Sequence, residues 1–174
     1  MTVEQAITRS QAAFASIVWP RLAELLGDGQ LIPVETVTDS TMTRVLDMLA
    51  GVDTWLVRAG DVYPVASRVQ YGPTAWRTHT VRRRLVSGAA TEYDKRLRAI
   101  RKGALYPSLT IQAYIDGDRL LAAAAVDTRH LMDKCQELEH QIRRNPADGS
   151  EFIFVGWDQC SPDLIHIVDN TGGE

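Results

Sequence analysis

The chain has 174 residues, of which 45% are hydrophobic and 24% charged, and its formal net charge is -3. These values are typical of one ordinary globular domain and exclude a disordered chain. An acidic balance does not by itself indicate a polyanionic partner. The two cysteines, Cys135 and Cys160, are too few and too far apart for a disulfide scaffold or a structural zinc site. Without a secretion signal or a long apolar run, we expect a cytoplasmic protein without a membrane span.

The N-terminal third is predicted to be helical. Thr2 and Gln5 form a capping-box pattern, and apolar residues then recur at helical spacing. Pro20 should kink or restart this helix, so residues 3–26 are predicted to form a broken helix. A second helix is predicted over residues 40–50, where Gly51 ends it.

The middle of the chain predicts a β-hairpin. Two runs rich in β-forming residues, 52–58 and 62–70, flank the turn Ala59-Gly60-Asp61. A third strand is predicted over residues 77–82, where polar and apolar residues alternate. The remaining predicted elements are, in order, a helix over 92–102, strands over 109–115 and 120–126, a helix from 127 to about 144, and a strand over 151–157.

This order of elements predicts an α+β fold with a mixed, largely antiparallel sheet, because hairpins outnumber crossovers. We expect a single domain: an N-terminal helical segment (1–37), a core of αβββαβ order (38–126) and a C-terminal β-α-β extension (127–174). A doubly wound dinucleotide fold is disfavoured, because strands and helices do not alternate.

One constellation resembles a known nuclease superfamily. A helix ends at Gly51, Asp53 starts the first strand of the hairpin, and the second strand carries Arg68 and Gln70 toward the same edge. These residues and the αβββαβ order resemble the PD-(D/E)XK superfamily, in the compact arrangement of Holliday-junction resolvases, over residues 40–115. The resemblance implies a restriction-endonuclease-like core, a nucleic-acid substrate and a Mg²⁺ ion near the scissile phosphate.

The resemblance also implies site residues. Asp53 matches the first acid and would ligate Mg²⁺, Arg68 would hold the scissile phosphate, and Gln70 would orient water or metal. The acid-x-lysine pair of the family falls on Ala66 and Arg68, or on Arg68 and Gln70, so the second carboxylate is missing. Arginine holds a phosphate but does not readily release a proton. A carboxylate from elsewhere, Asp47 or Glu92, would have to replace it.

Charge is the second signal. Between positions 68 and 102 lie ten basic residues and only two acids, Glu92 and Asp94. Such a block is typical of phosphate contacts. It equally fits a solvated helix face and an edge strand protected by arginine. The predicted nucleic-acid-binding residues are Arg77, Arg82, Arg83, Arg84, Lys95 and Arg98.

Two hypotheses follow. The first is a PD-(D/E)XK-like protein of phage or mobile-element type that binds DNA or RNA and cuts it with Mg²⁺. The second is a catalytically inactive inhibitor or adaptor that binds another protein, with the acidic helix 128–144 as its contact surface. A second carboxylate close to Asp53 would favour the nuclease.

Overall fold

The computed structural model describes residues 2–34 and 51–171. The helix predicted over 40–50, including Asp47, lies outside the described residues. Within them, no helix combines the length and the apolar character that crossing a membrane requires.

The described chain contains four α-helices and nine strands. The helices are α1 (Val3–Ala13), α2 (Trp19–Leu26), α3 (Glu92–Lys102) and α4 (Thr128–Glu137). The strands are β1 (Gln30–Pro33), β2 (Thr54–Arg58), β3 (Asp61–Tyr71), β4 (Thr78–Arg84), β5 (Leu109–Asp116), β6 (Arg119–Asp127), β7 (Arg143–Arg144), β8 (Glu151–Gly156) and β9 (Ile165–Asp169).

The strands form two sheets. The larger has the order β1-β2-β3-β5-β6-β9, and the smaller has the order β4-β8-β7. All pairs are antiparallel except β3 with β5. The predicted α+β class with a mixed, mostly antiparallel sheet is therefore confirmed. The predicted third strand exists as β4, but it belongs to the smaller sheet.

Both predicted hairpins are confirmed. Arg58 lies opposite Asp61 at the turn between β2 and β3, and Asp116 lies opposite Arg119 between β5 and β6. Helix α3 has the predicted bounds because Thr91 caps its start and Gly103, with a φ of 61°, ends it in the left-handed conformation.

The N-terminal helix is broken, but the interruption precedes Pro20. Residues Phe14–Val18 form a π-helical turn, after which α2 begins at Trp19. Pro20 lies in the first turn of α2, directly after this π-helical turn, where the local change in hydrogen bonding accommodates its missing N–H.

One predicted boundary was wrong, and one strand was not predicted. Helix α4 ends at Glu137 instead of near residue 144, since Arg143 and Arg144 turn extended and pair with Phe152 and Glu151 of β8. Strand β1 was not predicted; its four residues pair with β2 across a long sequence separation. Residues 163–168 are apolar, but their pattern does not distinguish a helix from a strand; most of β9 lies in this run and pairs with β6.

The larger sheet separates two apolar layers. The alanines of β6 alternate between them: Ala122 and Ala124 face the layer that holds β4, β8 and α4, whereas Ala123 and Ala125 face α1 and α2. All four are fully buried. Their small side chains let both layers pack closely against this strand.

We predict that Ala124→Leu destabilises the fold by about 1–3 kcal/mol, because the added methyl groups would overpack a buried strand. Urea unfolding followed by circular dichroism measures the change. Ala89→Leu, at an exposed position, is the matched control and should have little effect. Equal stability of both variants and the native chain would contradict the packing described here.

Candidate functional site

A cleft of about 510 Å³ opens where the β2–β3 hairpin, β4 and the start of α3 meet. We call it the Asp53 cleft. The polar side chains lining it come from three regions that are distant in sequence, and the crossover between β3 and β5 brings them together. They are Asp53, Ser67, Arg68, His79, Thr80, Arg82, Thr91, Glu92, Lys95, Arg96, Thr110 and Gln112.

Asp53 lies at the edge of this cleft, immediately before β2. Its backbone N–H donates to the carbonyl of Val65, and its Oδ2 accepts a hydrogen bond of 2.8 Å from the backbone N–H of Ser67. The hairpin thus holds the carboxylate against β3. The sequence predicts Arg68 or Gln70 opposite Asp53; the carboxylate instead contacts Ser67, and the register, with Thr54 opposite Val65, places Arg68 and Gln70 further along β3.

Arg68 and Glu92 meet across the cleft. Arg68 Nη1 donates to the carbonyl oxygen of Thr80 at 2.8 Å and lies 3.7 Å from Glu92 Oε1. The same Glu92 oxygen accepts a 2.8 Å hydrogen bond from the backbone N–H of Arg82. Glu92 is therefore a second carboxylate in the cleft that holds Asp53.

The inner wall of the cleft holds buried groups without partners. Arg96 is only 5% exposed, and no carboxylate of the described residues lies within 4 Å of it. Within residues 2–34 and 51–171, no hydrogen-bond partner is found for its Nε, for Arg82 Nε, for Thr80 Oγ1 or for either ring nitrogen of His79. A buried donor left unsatisfied costs about 1–3 kcal/mol.

His79 is uncharged at neutral pH. It is 1% exposed, and burial, followed by the charge of Arg96, lowers its pKa to about 3. The positive charge of the inner wall therefore comes from the guanidinium groups, and the imidazole contributes a neutral donor and acceptor.

A second cleft, of about 550 Å³, lies beside the first. We call it the Phe152 cleft. It shares Arg68 and Thr80 with the Asp53 cleft, so the two clefts adjoin at these residues, and together we call them the groove. Its other lining residues are Gln70, Arg143, Arg144, Asn145, Phe152 and Phe154.

The predicted site residues are divided between these clefts. Asp53 and Arg68 share the first one, whereas Gln70 lines only the second. The Oε1 atom of Gln70 accepts a 3.0 Å hydrogen bond from Nε2 of the buried Gln112. The sequence predicts Asp53 and Gln70 in one site. The structure places them in two neighbouring clefts that share Arg68.

The predicted basic residues also separate. Arg82 and Lys95 line the Asp53 cleft. Arg83 and Arg98 line a third depression, where Arg83 Nε lies 2.8 Å from Glu139. The other two lie elsewhere: the Arg84 side chain is 71% exposed, and Arg77 Nε contacts Asp169 at 2.7 Å.

Several site residues were not predicted as such. Arg96 and His79 were overlooked because burial, which marks them, depends on how the smaller sheet packs. Phe152 and Phe154 do carry a signal, since alternate aromatic residues in one strand point to one face. So does the adjacent basic pair Arg143-Arg144.

The described residues contain no group of three or more histidine, cysteine, aspartate or glutamate side chains placed to hold a metal ion. Among the residues that the structure describes, Asp53 and Glu92 are the carboxylates that line the Asp53 cleft. Comparison with protein-family models, with curated proteins and with solved structures finds no match to this chain.

We predict that acid destabilises the fold through His79. The unfolded chain protonates this side chain near pH 6.5, whereas the folded chain does so only near pH 3, so stability is full above the higher value and falls below it. The loss between pH 7 and pH 5 should be about 2 kcal/mol. His79→Phe should remove most of this loss in urea unfolding.

The exposed His140 supplies the control, because His140→Asn should retain the native pH dependence. The interval between pH 7 and pH 5 lies above the range in which carboxylates normally titrate, so the change in stability there reports on histidine. If His79→Phe lost as much stability as the native chain on acidification, the buried neutral imidazole could not be the cause.

Proposed function

We propose that this protein binds nucleic acid, DNA or RNA, in the groove formed by the Asp53 and Phe152 clefts. The observation that carries the proposal is Arg96, a buried guanidinium whose Nε has no partner and which has no carboxylate within reach among the described residues. Leaving a buried charge unpaired is costly, so this group requires an acceptor beyond the described residues, which a bound ligand would supply. An anionic ligand matches this group best, because a guanidinium carries a permanent positive charge and offers only donors.

The charge of the Asp53 cleft supports a phosphate group as that anion. Four cations, Arg68, Arg82, Lys95 and Arg96, line the cleft together with two carboxylates. Arginine presents a planar array of donors that matches phosphate oxygens. The adjoining Phe152 cleft shares Arg68 and adds Arg143 and Arg144. A second basic region of this kind suits a polymer with repeated phosphates better than a single small anion.

The order of elements supports placing this protein with PD-(D/E)XK-like nucleases. The β2–β3 hairpin, β4, α3 and β5 follow one another in the proposed αβββαβ order. Asp53 and Arg68 occupy the same cleft, in agreement with their proposed roles. The pairing of β4 with β8, outside the larger sheet, is a departure that this proposal has to accommodate.

Mg²⁺-dependent cleavage is a second candidate function, favoured by the two carboxylates, Asp53 and Glu92, that line the same cleft. Hard divalent cations bind carboxylate oxygens, so these two residues would hold the ion, which would polarise a phosphoryl group and activate water. Arg68 and Arg96 would orient the phosphate in either case. Binding does not depend on whether cleavage occurs.

We predict that Arg96→Met weakens nucleic-acid binding by about tenfold or more, because charged hydrogen bonds of this kind contribute about 1.5–3 kcal/mol. Stability should be unchanged or higher, since an unpaired buried charge is removed. Fluorescence anisotropy with a labelled 20-nucleotide strand at about 50 mM salt measures binding, and urea unfolding measures stability.

Arg21→Met provides the control, because Arg21 lies on α2 on the opposite side of the sheet and pairs only with Glu24 among the described residues. It removes the same charge and should leave the affinity nearly unchanged. Equal affinities for the native chain and Arg96→Met would exclude Arg96 as a phosphate-binding residue.

We also predict that Asp53→Asn abolishes any Mg²⁺-dependent cleavage while nucleic-acid binding persists. The amide oxygen can still accept the Ser67 hydrogen bond, so the hairpin is preserved while the metal-binding charge is lost. A cleavage assay with Mg²⁺ or Mn²⁺ on single-stranded and duplex substrates tests this, with Asp61→Asn at the hairpin turn as the control. Cleavage that survives Asp53→Asn would place the chemistry elsewhere.

A further inference from the structure

We infer that the Phe152 cleft binds unstacked bases, so that the nucleic acid taken by this protein is single-stranded. This inference rests on the proposed function and names its substrate class. The observation that carries it is a pair of neighbouring aromatic rings, each under an arginine, in a cleft that shares Arg68 and Thr80 with the Asp53 cleft.

The two rings lie side by side on one face of the smaller sheet. Phe152 and Phe154 are separated by one residue of β8, and their ring centroids are 6.4 Å apart. Both side chains are partly exposed, while the intervening Ile153 is buried. Two aromatic side chains held partly in solvent by a regular strand form a preformed apolar surface of the kind on which bases stack.

Arginines extend this surface. The guanidinium carbon of Arg82 lies 5.4 Å from the centroid of Phe152, and that of Arg143 lies 5.4 Å from the centroid of Phe154. Nucleic-acid bases stack on aromatic rings and also on planar guanidinium groups. The two ring planes are inclined by 46°, so each ring with its arginine forms a separate cationic stacking position, which suits a base attached to a phosphate more than an apolar peptide.

Amide groups in the same cleft can contact base edges. Gln70 and Asn145 both line it. The hydrogen bond from Gln112 to Gln70 Oε1 uses the carbonyl of that amide, so its NH₂ group can donate elsewhere. Such donors and acceptors match the edges of bases, which are accessible once a base is unpaired.

The position of Arg68 between the two clefts determines where a phosphate and its neighbouring base would bind. Arg68 lines both clefts, and its Nη1 is anchored on the Thr80 carbonyl at their boundary. A phosphate at Arg68 would therefore have its neighbouring base near Phe154. In a duplex, both faces of each base are already stacked on neighbouring bases. Binding to Phe152 and Phe154 would therefore require the duplex to be unstacked, which costs free energy.

The test compares three labelled ligands of equal length by anisotropy: a single strand, its duplex, and an abasic strand that keeps the phosphates. We expect the single strand to bind at least roughly tenfold more tightly than either of the others. The double variant Phe152→Leu/Phe154→Leu should lose most of that preference and retain the weak binding of the abasic strand.

Tyr71→Leu is the matched control, because Tyr71 is an exposed aromatic residue of β3 that stacks with Arg9, outside both clefts. It should leave the preference intact. In case the double variant does not fold, Arg143→Gln, at an exposed position, should reduce single-strand affinity several-fold. Photocrosslinking of the native chain to a strand containing 5-iododeoxyuridine should modify Phe152 or Phe154.

The possible failures are distinguishable. Equal binding of single strand and duplex by the native chain, or crosslinks confined to other segments, would overturn this inference and leave the proposed function standing. Failure of the native chain to bind any of the three ligands would overturn the proposed function itself.

Discussion

Strands β3 and β5 run parallel and pair from Val65 opposite Leu109 to Tyr71 opposite Ile115. Parallel neighbours require a long crossover, and here the crossover carries β4 and α3. Because β4 leaves the larger sheet to pair with β8, a space opens between it and β3. The Asp53 cleft occupies that space, so one strand pairing determines which residues line it.

The electrostatic character of the groove is local. The chain as a whole carries a formal charge of -3, yet guanidinium groups concentrate where β3, β4 and α3 meet. Many of the other basic residues are paired with acids, as Arg77 is with Asp169 and Arg83 with Glu139. The unpartnered groups at Arg96 and Arg82 distinguish the groove from this ordinary surface pairing.

Local features of the fold were predictable because short-range chemistry determines them. The turn at Gly60 and the cap at Thr91 set the bounds of the hairpin and of α3 to within about two residues. The partner of β4 was not predictable, since it depends on a contact with β8 some seventy residues later. The same limit applies to the site: Asp53 and Arg68 could be grouped from the hairpin, whereas Arg96 becomes recognisable only through its burial.

The central claim is that the unpartnered donors of the Asp53 cleft bind phosphate groups. Arginine side-chain NMR tests it most directly, with the Nε–H resonance of Arg96 assigned by comparison with Arg96→Met. On addition of a short single strand, that resonance should move downfield and exchange more slowly with water, while the Arg21 resonance stays in place. An Arg96 signal that remains unchanged at saturating nucleic acid would contradict the account.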